Sequence, residues 1–135
     1  MLQFTLDLVT NVEIVDEQHK EIFRRINDMS DMGAKLFTDE EVQETLDFLG
    51  AYVVEHFKAE EELMIKWDYP RCDEHKNEHT KFLDEFARFR REFNTMGSTV
   101  SYTLSLVEHI VNWIVTHIKQ SDKDMAKHIN EQALK

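Results

Sequence analysis

The chain has 135 residues, 41% of them hydrophobic and 32% charged, a size and composition that fit one globular domain with its own core. A formal net charge of −11 argues against nucleic acid or an anionic membrane as a partner. The single cysteine, Cys72, allows no internal disulfide, the stretch from Met1 to Glu17 lacks the basic and apolar regions of a leader, and no run reaches the length of a membrane span, so a cytoplasmic protein is expected.

Three Gly and one Pro leave few turns, which predicts few, long elements, and the residues between them favour helices. Residues 1–11 show no period and read as an arm, with Phe4 and Leu6 as anchors. Helix A, about 12–36, carries an apolar stripe of Val12, Val15, His19, Ile22, Ile26, Met29, Gly33 and Leu36, with His19 at a core position. After a turn near Phe37, Thr38 and Glu41 form a capping-box pattern that opens helix B, about 39–66. Its seam of Val42, Leu46, Leu49, Val53, His56, Glu60, Leu63 and Trp67 turns polar at His56 and Glu60. A buried glutamate without a partner costs several kcal/mol or stays protonated, so a cation beside it is the simplest account.

Pro70 breaks the chain after Asp68 and Tyr69 and is expected in the first turn of helix C, about 71–94. There Cys72, His75, His79, Phe82, Phe86, Phe89 and Phe93 recur at steps of three and four, the seam of a bundle helix. The i, i+4 spacing stacks the His75 and His79 rings on one face, as a metal site requires. Gly97 and Ser98 read as a loop, with Ser98 or Thr99 capping helix D, about 99–118. Its stripe is Thr103, Val107, Ile110, Ile114 and His117, with Trp113 beside it. Asp122 follows His117 by a step of five residues; on a regular helix that step turns about 500°, leaving the side chains roughly 140° apart. For both to face one centre the backbone must bulge to π geometry or end and restart, with Ser121 capping a short last helix over about 122–132.

Four such helices with short connections predict an all-α, up-down-up-down antiparallel bundle. Each breaks its apolar seam with metal-ligand types: His19 on A, His56 and Glu60 on B, His75 and His79 on C, His117 and Asp122 after D. Helices A and C carry theirs near the N-terminal end and B and D near the C-terminal end, so antiparallel packing brings all seven to one level. His109 and His128 are expected at the surface, Cys72 and the methionines Met29, Met64 and Met125 in packing roles.

In order and spacing the set His19, His56-x-x-x-Glu60, His75-x-x-x-His79 and His117-x-x-x-x-Asp122 resembles the hemerythrins, in particular the single-domain bacterial ones. The resemblance spans about 12–125 and includes Asp16-x-Gln18-His19, Tyr69-Pro70 and Trp113; Phe4 and Glu13 depart from frequent family residues in the arm region. Five imidazoles and two carboxylates exceed what one ion holds, and mixed nitrogen and oxygen donors suit iron over calcium or magnesium. Two octahedral irons offer about twelve positions, and with an oxo or hydroxo bridge the donors leave one open for a small ligand.

What the resemblance implies is one iron completed by His75, His79 and His117, another held by His19 and His56, and Glu60 and Asp122 bridging them. The open position then lies on the His19 and His56 iron, with Ile114, Trp113 and Phe57 as pocket walls. The neutral donor set favours reversible O2 binding over substrate oxidation, in agreement with the family's oxygen storage, delivery or sensing. A di-iron peroxidase, a nitric oxide handling enzyme and a signalling module are the alternatives, and a monomer is expected in preference to an oligomer.

Overall fold

The computed structural model describes residues 2–33, 38–96 and 100–135. After an arm with one 3-10 turn (Leu6–Leu8) come α1 (Glu13–Gly33), α2 (Asp39–Lys66), α3 (Cys72–Met96) and α4 (Val100–His117). A π-helical turn (Ile118–Asp122) joins α4 to α5 (Lys123–Ala133). The helices form the expected four-helix bundle, in which α1 packs against α2 and α4, and α2 against α3. The expected turn near Phe37, the stripe residue Leu36, the Gly97 and Ser98 loop and the cap at Ser98 or Thr99 lie outside the described residues.

Local chemistry sets the helix ends. At the start of α2 the Thr38 side chain accepts from the Glu41 N–H at 3.1 Å and the Glu41 carboxylate accepts from the Thr38 N–H at 3.2 Å, which satisfies two orphan donors. At its end Asp68 takes a left-handed φ of 51°, and the Tyr69 N–H returns to the Met64 carbonyl at 2.9 Å, closing the last turn. Pro70 precedes the first turn of α3 instead of sitting in it, because the first helical bond there runs from the His75 N–H to the Arg71 carbonyl. Gly50 lets α2 approach α3 closely: a Cβ there would stand 2.8 Å from the Phe86 ring.

The arm differs from expectation. Leu6 is 89% exposed, because the 3-10 turn points it outward and sends Leu8 into the core. Phe4 and Leu2 pack against that core from its edge, and the Leu2 backbone exchanges two hydrogen bonds with the Asn27 side chain. Asn11 takes a φ of 64°, and Asp16 accepts from the backbone N–H groups of Thr10 and Asn11 and from the Thr10 hydroxyl, so this carboxylate fastens the arm to α1.

Two apolar clusters flank one polar layer. The larger contains Ile22, Leu46, Phe57, Phe82 and Ile114; the smaller contains Val15, Met64, Tyr69, Met125 and Ile129. Along each helix the chain passes from one cluster to the other through histidine or carboxylate: Val15, His19, Ile22 on α1; Phe57, Glu60, Met64 on α2. The layer is therefore sealed on both sides by hydrocarbon.

Candidate metal centre

All seven residues singled out in the sequence meet in this layer, and each is nearly or wholly inaccessible to solvent. The imidazoles turn Nε2 inward. Glu60 places Oε1 at 3.0 Å from His79 Nε2 and 3.4 Å from His75 Nε2, and Oε2 at 3.3 Å from His56 Nε2 and 3.7 Å from His19 Nε2. Asp122 places Oδ1 at 3.0 Å from His75 Nε2 and 3.1 Å from His117 Nε2, and Oδ2 at 2.9 Å from His19 Nε2. Each carboxylate thus offers one oxygen to each of two groups. One group is His75, His79, His117, Glu60 and Asp122; the other is His19, His56, Glu60 and Asp122; within each the donor atoms lie within 4.8 Å of one another.

The backbone delivers this convergence in two ways. On α2 and α3 the i, i+4 spacing on a regular helix suffices. After α4 the π turn supplies the extra rotation: the Lys123 N–H bonds back to the Ile118 carbonyl, and Asp122 is wholly buried. Ser121 does not cap the last helix, since the π turn runs directly into α5; its hydroxyl donates to the Glu78 carboxylate at 2.8 Å.

The short approaches are not hydrogen bonds. Both nitrogens of His19 and His75 and both oxygens of Glu60 and Asp122 are buried without a directed hydrogen-bond partner among the described residues. Buried polar atoms are nearly always satisfied, so this concentration of lone pairs on one point calls for a positive charge. Burial pushes the His19 imidazole down, but the Asp122 and Glu60 carboxylates outweigh it and lift it to about 9. The same opposition raises His75 to about 9 and His117 to about 10. Burial raises the Glu60 and Asp122 carboxyls, and the surrounding imidazoles hold both well below the ordinary carboxylate range. Protons and metal cations are alternative ways to meet that demand, and a set of imidazoles and carboxylates with converging Nε2 atoms fits a pair of transition-metal ions.

Outer partners fix three of the rings. His56 Nδ1 lies 2.7 Å from Gln18 Oε1, His79 Nδ1 lies 3.0 Å from Glu61 Oε2, and His117 Nδ1 lies 3.2 Å from Glu78 Oε1. An acceptor on Nδ1 keeps the proton there and leaves the Nε2 lone pair free for a metal. The His117 hydrogen bond in turn draws the Glu78 carboxyl down to about 2. The roles of Glu61 and Glu78 were missed in the sequence, yet a signal existed. Gln18, Glu61 and Glu78 each sit one residue from a ligand, about 100° around the helix, where a side chain flanks the ligand of the neighbouring helix.

Around the layer, Phe57 stacks on His79 with centroids 3.9 Å apart and lies 6.0 Å from His56. Trp113 stacks on His117 at 4.5 Å and on Phe82 at 4.4 Å, and Ile114 is buried in the larger cluster. Cys72 packs at the edge of the smaller cluster. His109 is at the surface beside Glu85, whereas His128, expected there too, is half-buried with Nε2 at 2.8 Å from the Trp67 carbonyl.

Residues 10–129 match the hemerythrin HHE cation binding domain. The chain is 36% identical over 114 residues to a bacteriohemerythrin of Methylococcus capsulatus, covering 84% of this chain and 85% of that one. It is 31% identical over 110 residues to a myohemerythrin of Theromyzon tessulatum, covering 82% and 78%. A crystal structure of wild-type hemerythrin superposes with a TM-score of 0.83 at 32% identity, covering 96% of this chain and 97% of that one. With its buried layer of imidazoles and carboxylates, this chain belongs to the hemerythrin family.

Proposed function

We propose that the layer holds two iron ions and takes up molecular oxygen reversibly at one open position, for storage, delivery or sensing. His75, His79 and His117 would hold one ion, His19 and His56 the other, with Glu60 and Asp122 bridging. The observation that carries this reading is the orientation of the two carboxylates, each with one oxygen toward each imidazole group and none of the four in a directed hydrogen bond. An oxo or hydroxo bridge completes the coordination count. When bound, the iron pair supplies the electrons and the open coordination position that dioxygen needs.

The protein's own residues do the rest. Gln18, Glu61 and Glu78 orient His56, His79 and His117, which spares the site the cost of ordering them when metal arrives. In this reading Phe57, Trp113 and Ile114 wall the centre: Phe57 stacks on His79 and reaches to 6.0 Å from His56, Trp113 covers the three-histidine side by stacking on His117, and their hydrocarbon keeps out the water and protons that drive irreversible oxidation. Cytoplasmic residence and a monomeric state belong to the same reading. Cys72 lacks a second cysteine to pair with, and the exposed large apolar side chains are spread over the arm, α1, α2, α4 and the C-terminal end.

Stopped-flow mixing of the diferrous protein with oxygen tests the proposal. A stable oxygenated spectrum that reverses on deoxygenation is expected. Immediate conversion to the diferric form would overturn reversible binding in favour of a peroxidase, a nitric oxide handling enzyme or a signalling module that responds to the oxidation itself.

A further inference from the structure

The two imidazole groups are not backed alike. Behind the three-histidine group stand two carboxylates, Glu61 on His79 Nδ1 and Glu78 on His117 Nδ1. Ser121 fixes Glu78 further, its hydroxyl within 2.8 Å of both carboxylate oxygens. Behind the two-histidine group stands one neutral amide, Gln18, on His56 Nδ1. Nδ1 of His19 and of His75 has no hydrogen-bond partner among the described residues. An amide oxygen orients an imidazole as well as a carboxylate does, but adds no charge. A carboxylate also makes the imidazole a stronger donor to whatever its Nε2 binds.

We propose that Glu61 and Glu78 make the two metal positions electrically unequal, so that the ion held by His75, His79 and His117 is the tighter bound and the first to be oxidised. Among the described residues no carboxylate is hydrogen-bonded to Nδ1 of His19 or His56, and the neutral Gln18 adds no charge there, which favours the ferrous state at that position. This inference rests on the di-iron reading and deepens it: the ion assigned the open position is the one the protein keeps reduced. Ferric iron carries one more positive charge than ferrous iron, so the charge difference between the two outer rings acts directly on the order of oxidation. The Glu61 and Glu78 side chains are 31% and 43% exposed, so solvent screens part of the effect and roughly tenfold per carboxylate is expected.

Glu61→Gln and Glu78→Gln retain an acceptor of the same shape and remove only the charge; Gln18→Glu adds charge on the other side. Calorimetric titration of the metal-free proteins with zinc, which has no redox chemistry, should give two steps in the unaltered chain. Each Glu→Gln change should weaken the tighter step about tenfold, and Gln18→Glu should strengthen the weaker one. In the iron-loaded proteins, with electrons supplied one at a time through mediators, a tenfold change in ferric over ferrous preference corresponds to about 59 mV. Glu61→Gln and Glu78→Gln should raise the potential of the first-oxidised ion, and Gln18→Glu should lower that of its neighbour.

A role confined to holding the rings predicts losses of the same sign in all three variants. Two zinc steps that none of the variants moves, or a Gln18→Glu that weakens binding as the others do, would overturn the proposal while leaving the di-iron reading intact. Fewer than two zinc ions per unaltered chain would overturn both.

Discussion

Helix α2 and the α4 to α5 junction each deliver an imidazole followed by a bridging-type carboxylate, and they do so differently. On α2 a glutamate follows histidine by four residues on an unbroken helix; at the junction an aspartate follows by five, through a π turn. The shorter side chain comes with the added residue. Asp lacks one methylene of Glu, about 1.5 Å of reach, and the π turn brings its backbone around to the centre. The comparison teaches that carboxylate length and backbone geometry are one choice: a regular helix needs Glu, a π turn admits Asp.

The largest effect is expected from removing either carboxylate. If the layer holds the proposed iron pair, Glu60→Ala should strip the chain of most of its iron, because in that arrangement both ions lose a donor at once, while the metal-free fold survives with a modest cavity in a seam that accepts apolar residues. Iron analysis with far-UV circular dichroism checks this, and two irons per chain retained in the variant would contradict a bridging role. Asp122→Ala should match it, which would show that the two geometries are equivalent in function.

Deleting Gln120, which is exposed, turns the five-residue step into four and permits a regular helix across the junction. Asp122 would then fall short of the centre, and metal affinity should drop by at least the roughly 10- to 100-fold that losing an outer partner alone costs. Adding Asp122→Glu to the deletion recreates the arrangement on α2 and should restore two ions per chain. Equal metal content with and without the added glutamate would break the link between side-chain length and the π turn.

This contrast also marks what was legible in the sequence. The 3.6-residue period exposes α1 to α4, and the interruptions of that period expose six residues of the layer, all but Asp122, because a histidine or glutamate in an otherwise apolar seam needs a reason to be there. The five-residue step to Asp122 conflicts with regular helical geometry, and the conflict calls for a π bulge or a break with a restart, of which the structure has the π turn and no Ser121 cap. Glu61 and Glu78 stayed hidden among many surface carboxylates, since nothing in a period marks which of them reaches across to the next helix. Leu8 and not Leu6 anchors the arm, which no periodicity could show, because a single 3-10 turn has no period to read and its rotation alone decides between Leu6 and Leu8.

A smaller and more local effect is expected one turn before His117. Ile114→Ala should destabilise the protein by about 2–5 kcal/mol as a core truncation and, beyond that, speed autoxidation of the oxygenated form. Leu106→Ala is the control: it lies on the same helix and in the same cluster, about 12 Å further from the centre by helical rise. It should cost similar stability and leave autoxidation unchanged. Equal autoxidation rates in the two variants would place Ile114 away from the oxygen pocket.

The smallest effect concerns Ser121, and it separates two accounts of the junction. Were Ser121 the cap of α5, Ser121→Ala would cost about 1 kcal/mol and fray the last helix. In the structure its hydroxyl instead holds Glu78, a carboxylate that is 43% exposed and already accepts from His117, so water can replace the lost donor at little cost. Thermal unfolding should therefore shift by less than about 0.5 kcal/mol, and the amides of α5 should keep their protection from hydrogen exchange. What should change is the freedom of Glu78 and with it the orientation of His117: a small rise in the rate of metal loss to a chelator, with helix content constant. Faster exchange across residues 123–133 without any change in metal loss would return Ser121 to the capping role and leave the π turn, on the side that α2 lacks, with Asp122 as its sole contribution to the centre.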